Sequence, residues 1–177
     1  NIDMDNYKYS QEYARLDRWR DQTWKNEDIP ENGFHTSYFL DDFNDISQKK
    51  CTEEYYKNGK LDGLQKTWYE TGELLSESNF NNGLIHGKST TWYKNGQRKT
   101  EGTYNSKVYF PDGTRVKVYI PDGSFQPESA LDGPFNEWHE NGKLKRSGLY
   151  LNGLMHYTWK EWNDKGELIK REWNHVF

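Results

Sequence analysis

The sequence repeats itself at a fixed spacing, and this repetition constrains the fold more than any other feature. A tryptophan, a short polar segment and a glycine recur in one frame, which is found four times: Trp68-Tyr69-Glu70-Thr71-Gly72-Glu73-Leu74, Trp92-Tyr93-Lys94-Asn95-Gly96-Gln97-Arg98, Trp138-His139-Glu140-Asn141-Gly142-Lys143-Leu144 and Trp162-Asn163-Asp164-Lys165-Gly166-Glu167-Leu168. The tryptophans are 24 residues apart within the first pair and within the second pair, and 46 residues separate the two pairs. Such a period indicates a repeat architecture, with an insertion or one degenerate unit in the longer gap.

A second motif lies at a constant position inside each unit. An aromatic residue (Phe80, Tyr104 or Tyr150) follows each of the first three repeat tryptophans by twelve residues, and Asn-Gly pairs stand at 58–59, 82–83 and 152–153. Gly, and Asn more readily than most residues, accept the positive φ of tight hairpin turns. Two strands and two turns in each unit leave no room for a helix, so each unit is predicted to be a β-hairpin.

A hairpin of this size cannot bury its own face, so neighbouring units must stack side by side. We therefore predict an all-β fold, an open antiparallel sheet of stacked hairpins. One side is predicted to carry a structural core of two aromatic columns: Trp68, Trp92, Trp138 and Trp162, with Phe80, Tyr104 and Tyr150 between them. The other side is predicted to be polar, with Glu77, Lys145 and Ser147.

The composition agrees with a thin sheet that has an aromatic lining. Only 32% of the 177 residues are hydrophobic, and the mean hydropathy of −1.23 would by itself be typical of a disordered chain. However, 16% of the residues are aromatic, and disordered chains are poor in aromatic residues. No apolar run approaches the roughly 18 residues that a transmembrane helix needs.

The pattern Trp-Tyr-x-Asn-Gly-x-Leu, followed by Tyr/Phe-x-Asn-Gly-x-x-x-Gly, resembles the MORN-type repeat over about residues 55–173. It is most similar to the short bacterial variant found in YwqK-like antitoxin proteins. The resemblance implies a binding scaffold without a shared active site and without a cofactor. It implies a protein partner, a toxin that an antitoxin or immunity protein neutralises by direct binding. The alternative is a cell-envelope repeat scaffold that binds proteins or glycans.

Residues 1–50 do not follow the repeat, and we predict an acidic, partly helical N-terminal cap on a repeat domain over 51–177. The spacing of Tyr9, Tyr13 and Leu16, with Trp19 close to the same face, predicts an amphipathic helix over 8–22. The segment 34–43 fits either a strand or a second helix. A cap would cover the exposed strand edge of an open sheet, and a dedicated partner-binding role is the alternative.

The longer gap contains a separate pattern over residues 105–130. Two turn signals, Pro111-Asp112-Gly113 and Pro121-Asp122-Gly123, flank the strand-like segment 116–119. We predict a hairpin or short meander that continues the sheet in place of a standard unit. Two aspartates are too few ligands for a calcium site.

Catalytic and metal chemistry is not indicated by any motif, and we predict that the chain is not an enzyme. His86 and His156 stand at the repeat position that Asp62 and Asp132 occupy in other units, which is typical of a polar turn site rather than a metal ligand. The single cysteine, Cys51, excludes an internal disulfide. Residues 51–177 hold seventeen acidic and seventeen basic side chains, a balance that disfavours nucleic acid as a partner.

Strand alternation places the residue after each repeat tryptophan on the face opposite the core. Tyr69, Tyr93 and His139, together with Trp19 of the cap, are therefore predicted to bind the partner. Because the chain opens with Asn1, we expect that an upstream segment was removed, by processing or by design. The sequence leaves open the cytoplasm or the bacterial cell envelope, and it does not define an oligomeric state.

Overall fold

The computed structural model describes residues 30–40, 46–106, 118–119, 125–126 and 130–174, and these residues contain strands and turns but no helix. The strands are β1 (Gly33–Leu40), β2 (Ile46–Lys57), β3 (Lys60–Leu61), β4 (Gly63–Trp68), β5 (Leu74–Asn81), β6 (Leu84–Trp92), β7 (Arg98–Asn105), β8 (Val118–Tyr119), β9 (Phe125–Gln126), β10 (Ala130–Trp138), β11 (Leu144–Leu151), β12 (Leu154–Trp162) and β13 (Leu168–Asn174).

One antiparallel sheet holds all of these strands except β8 and β9. Its order is β1-β2-β4-β5-β6-β7-β10-β11-β12-β13, with the short β3 paired to β2. Consecutive hairpins are therefore neighbours in space, which confirms the predicted all-β fold of stacked hairpins. The helix predicted over 8–22, including Trp19, lies outside the described residues.

The N-terminal edge of the sheet is formed by a segment for which the sequence left two possibilities. Residues 33–40 form the strand β1, which pairs with β2 from Gly33 opposite Tyr56 to Leu40 opposite Ile46. The rest of the segment, 41–43, is not among the described residues. The boundary predicted after residue 50 falls inside β2, so the sheet begins before the repeat pattern becomes visible in the sequence.

The insertion does not continue the sheet, and that prediction is wrong. β7 pairs directly with β10, with Asn105 opposite Ala130 and Gly102 opposite Phe135. β8 and β9 pair with each other in a separate two-stranded sheet. The repeat therefore runs from β7 into β10 without a missing unit, since the backbone edge of β7 is already paired with the next standard hairpin.

The two turns of each unit differ in geometry. In the turn after Trp92, the Tyr93 N–H donates to the carbonyl of Gln97 (2.8 Å), and the Tyr93 carbonyl accepts from the Gly96 N–H (2.9 Å). The other three tryptophan turns repeat these two bonds. In the other kind of turn, at residues 58–59, 82–83 and 152–153, both the asparagine and the glycine are left-handed, as in Asn82 (φ 51°) and Gly83 (φ 83°). This is the conformation of a two-residue type I′ hairpin. These three turns are called the Asn-Gly turns below.

Polar residues run through the middle of both faces of the sheet. Residues that oppose each other share a face, and adjacent residues along a strand lie on opposite faces. One row of opposed residues consists of Ser37, Thr52, Thr67, Ser76, Thr91, Thr100, Glu137, Arg146, Glu161 and Lys170. The row on the other face consists of Thr36, Glu53, Lys66, Glu77, Thr90, Glu101, Asn136, Ser147, Lys160 and Arg171.

The face of the second row is called the charged face below. It includes Glu77 and Ser147, as predicted for the polar side. The prediction that the opposite side is an aromatic core needs correction, because hydroxyl and charged side chains occupy its central row. Paired hydroxyls such as Thr91 and Thr100 (Oγ1 to Oγ1, 2.6 Å) hydrogen-bond across the strands there.

The two predicted aromatic columns are half-buried rather than buried. The four repeat tryptophans lie at the strand ends beside the turns, each opposite residue 74, 98, 144 or 168 of the returning strand, and all four are half-buried. Phe80, Tyr104 and Tyr150 are half-buried as well.

The most buried aromatic residue among those described is Trp159, which is 2% exposed and was not singled out from the sequence. Its ring packs on Tyr150 and Phe135, with ring centroids 4.9 and 6.0 Å away, and the Arg146 guanidinium lies 4.6 Å from its centroid. A Cβ at Gly148 would lie 2.2 Å from Trp159 Cδ2. Glycine at this position therefore makes room for the tryptophan.

The burial pattern predicts that Trp159 contributes more to stability than the repeat tryptophans. We expect Trp159→Ala to lower the free energy of unfolding by about 3–5 kcal/mol, as for large aromatic truncations in cores. Trp138→Ala, at a half-buried site, is expected to cost roughly half as much. Urea denaturation of both variants measures the difference. An equal or larger loss for Trp138→Ala would contradict the assignment of the core to Trp159.

Candidate functional site

An open groove of about 500 Å³ lies on the charged face, across strands β4 to β7. Its lining residues come from four strands and from the turn after Trp92: Leu64, Glu77, Asn79, Lys88, Thr90, Trp92, Gly96, Gln97, Arg98 and Glu101. One of the repeat tryptophans therefore shares a face with the central carboxylates, and the predicted separation of aromatic and polar sides does not hold here.

The strand register explains how these side chains come together. Glu77, Thr90 and Glu101 oppose one another on three neighbouring strands and form the middle of the groove. Trp92 and the 41%-exposed Leu64 add apolar surface. The groove therefore combines one aromatic ring and one exposed aliphatic side chain with hydrogen-bonding groups.

The charges of the groove are paired with one another or with close neighbours. Lys88 and Arg98 each lie 3.2 Å from the carboxylate of Glu101, and Lys66 lies 3.5 Å from that of Glu77. Trp92 and Arg98 are of residue types that are enriched in protein interfaces, whereas the lysine and glutamates beside them are of types that are depleted there.

The groove lacks the side chains that most often serve as nucleophiles or metal ligands. The residues that line the groove include neither histidine nor cysteine. Within the described ranges, no group of three or more His, Cys, Asp or Glu side chains is arranged to hold a metal ion. Cys51 is 3% exposed within β2.

The residues predicted to contact a partner instead connect consecutive units. The Tyr69 hydroxyl donates to the carbonyl of Trp92 (2.7 Å), and the Tyr93 hydroxyl donates to that of Trp138 (2.8 Å). His139 Nε2 donates to the carbonyl of Trp162 (2.8 Å). All three side chains are half-buried, so the expectation of freely exposed rings is not met.

Tyr69, Tyr93 and His139 do not lie on the face that strand alternation predicts, because each strand ends at its tryptophan. The register shifts between Thr67 and Trp68, and between Thr91 and Trp92, so the next residue belongs to the turn rather than to the opposite face. The hydrogen bonds give Tyr69, Tyr93 and His139 a structural role, and their part in partner binding stays a prediction. Trp19 lies outside the described residues.

Asparagine side chains strengthen the same end of the sheet. Asn95 Nδ2 donates to the carbonyl of Glu140 (2.7 Å), and Asn141 Nδ2 donates to that of Asp164 (2.7 Å). The Asn95 Oδ1 atom also accepts the Gln97 N–H (2.9 Å) within its own turn. Each tryptophan turn of this kind is therefore tied to the next.

The Asn-Gly end of the sheet is tied in an equivalent way. The N–H of Asn152 donates to Asp132 Oδ1 (3.2 Å), and the N–H of Ser106 donates to His86 Nδ1 (3.2 Å). Asp62 Oδ2 lies 3.4 Å from the N–H of Asn82. At Asp62, His86 and Asp132 this repeat position is therefore a polar turn site, and His86 serves there as a hydrogen-bond acceptor. The Nδ1 atom of His156 is buried and makes no such bond among the described residues.

Burial affects the ionisation of one of the connecting side chains. Burial raises the pKa of Tyr93 above its usual value of 10.0, and the nearby carboxylates of Glu137 and Glu140 raise it further. The phenol is therefore a proton donor at neutral pH, as its bond to the Trp138 carbonyl requires.

In the described sheet each hairpin pairs with the hairpins beside it, which is the arrangement of a linear repeat protein. Three segments, 61–82, 85–106 and 131–152, match the family model described as MORN repeat variant. They cover the hairpins β4–β5, β6–β7 and β10–β11, and the gap before the third segment coincides with the insertion.

MORN repeats are in general non-catalytic modules that bind proteins or membranes. No protein of curated function matches the sequence. Over the residues that the structure covers, no helix has the length and apolar character needed to cross a membrane.

The bond from Tyr93 to the Trp138 carbonyl predicts a pH-dependent stability. We expect Tyr93→Phe to lower the free energy of unfolding by about 1 kcal/mol at pH 8, the usual contribution of one such hydrogen bond. Because the folded-state pKa of Tyr93 is raised, this contribution is complete below pH 10 and is lost as the pH rises through that pKa.

Urea denaturation of wild type and Tyr93→Phe at several pH values up to 11.5, in steps of about half a unit, measures this difference. The other tyrosines titrate in both proteins, so their effect cancels. A stability difference that stays constant above pH 10 would show that the hydroxyl does not make this bond.

Proposed function

We propose that the chain is an antitoxin or immunity protein that neutralises a toxin by direct binding through the charged face. The observation that carries this proposal is the groove, in which Trp92 and Leu64 lie among paired charges on an open sheet. The resemblance to YwqK-like antitoxin proteins supports the toxin as the kind of partner.

The size of the charged face suits a stable protein complex. Ten strands about 4.8 Å apart, with six to twelve residues each, present roughly 1,200 Å² of sheet surface. A standard protein interface buries about 800 Å² on each partner. The groove is therefore expected to be the centre of a contact that extends over neighbouring hairpins.

A second candidate function is a cell-envelope scaffold that binds glycans. It is favoured by one observation, the ring of Trp92 beside amide and carboxylate groups of Asn79, Gln97 and Glu101. Aromatic rings with nearby hydrogen-bonding groups also suit sugars, and a soluble glycan that binds in the groove would support this function.

The antitoxin function predicts rescue of growth. Each gene adjacent to the native gene is expressed alone to find a product that arrests growth, and that product is then co-expressed with this chain. We expect growth to recover and the purified proteins to form a stoichiometric complex. The proposal is contradicted if the folded chain does not restore growth against the product of any adjacent gene.

A matched pair of variants tests the position of the binding site. Leu64→Lys places a charge in the groove, whereas Leu154→Lys changes a leucine of the same 41% exposure outside it. We expect Leu64→Lys to weaken toxin binding at least tenfold, about 1.4 kcal/mol, and Leu154→Lys to leave it unchanged. Isothermal titration calorimetry measures both. Equal affinities would place the interface elsewhere.

A further inference from the structure

The last strand of the sheet presents exposed apolar side chains at an open edge. Among the residues that the structure describes, β13 pairs only with β12, and Ile169 and Trp173 on it are 62% and 65% exposed. Outer strands with large exposed apolar residues are sites of strand-to-strand association, and natural sheets usually avoid them.

The sequence of β13 is complementary to itself when read in the antiparallel direction. Ile169 and Trp173 lie two residues on either side of Arg171, and Lys170 and Glu172 lie one residue on either side. In an antiparallel pair of two copies centred on Arg171, Ile169 opposes Trp173 of the second copy, and Lys170 opposes Glu172 of the second copy. Opposite charges and apolar pairs in directly opposed positions stabilise a sheet.

The geometry of the single strand fits this register. Lys170 Nζ and Glu172 Oε2 are 3.3 Å apart, so the two side chains lie on one face, as the pairing requires. Shifting the centre to Lys170 would oppose Ile169 to Arg171, and shifting it to Glu172 would oppose Trp173 to Arg171, so neither register pairs opposite charges. The charge pattern therefore favours the register centred on Arg171.

We propose that two copies of this chain associate through β13, edge to edge, about a twofold axis at Arg171. Such an interface is closed, because the same edge serves both copies. Four opposed pairs, two Ile–Trp and two Lys–Glu, stabilise it, and the contact between the two Arg171 side chains opposes it. This proposal is independent of the toxin-binding function.

Charge exchange tests the proposed register in the full chain. Sedimentation velocity is expected to give twice the 21.2 kDa mass of one chain for the wild type. Lys170→Glu and Glu172→Lys alone are each expected to weaken the dimer at least tenfold, since each opposes like charges. The double variant is expected to restore the dimer. Arg171→Thr, which removes the repulsive contact, is expected to strengthen it.

Lys57→Glu, a charge reversal at an exposed position of β2, serves as the control and is expected to leave the dimer unchanged. Circular dichroism shows whether each variant is folded. A wild type that stays monomeric up to roughly 100 µM, equivalent to a free energy of association weaker than about 5.5 kcal/mol, would overturn the proposal. Failure of the folded double variant to recover the dimer would overturn the register.

A disulfide gives an independent test of the twofold axis. In an Arg171→Cys variant the two introduced cysteines would lie directly opposite each other, and they are expected to form a disulfide-linked dimer under mild oxidation. The cysteines of a Lys170→Cys variant would each lie opposite Glu172 and are not expected to form one. The native Cys51 is 3% exposed and does not compete. Equal cross-linking of both variants, or cross-linking of Lys170→Cys alone, would overturn the assignment.

Discussion

Hydrogen bonds between the turns of consecutive units reinforce the backbone ladder of this sheet at both of its ends. At one end, a tyrosine or histidine after each repeat tryptophan donates to the backbone of the next unit, as Tyr69 does to Trp92. At the other end, an aspartate or histidine accepts a backbone N–H from the next Asn-Gly turn or its equivalent, as Asp132 does from Asn152. With both ends of a hairpin reinforced in this way, the described part of the sheet has only small buried clusters, one at Cys51 and Tyr56 of β2 and one at Trp159 of β12.

This arrangement leaves the middle of each strand available for function. The turns add side-chain contacts between units to the backbone ladder, and the central residues of the charged face are polar. In a layered protein one face of the sheet would be covered by a second layer. Here the groove combines central strand positions such as Glu77 and Thr90 with Trp92 and Gln97, which also belong to the turn network.

The sequence predicted the hairpins well because their turns recur every 24 residues with glycine and asparagine in fixed places. The buried tryptophan could not be found in the same way, since the equivalents of Trp159 are Gln65, Ser89 and Phe135, a column with no common chemistry. The sequence also could not show that β8 and β9 form a separate sheet, because Pro-Asp-Gly turns occur both inside and outside a main sheet. Strand alternation misplaced Tyr93 because the register shift beside Trp92 has no sequence signal of its own.

The distance along the chain between bonded turns affects how the protein folds as it is made. The bond from Tyr69 to Trp92 joins residues 23 apart, so a ribosome that adds about 5–20 residues per second completes each such contact within about one to five seconds. Early hairpins can therefore be locked in place while later ones are still inside the exit tunnel. The exception is the bond from Tyr93 to Trp138, which spans 45 residues. Until the insertion and β10 have been synthesised, the outer edge of β7 lacks the strand that pairs with it in the finished sheet.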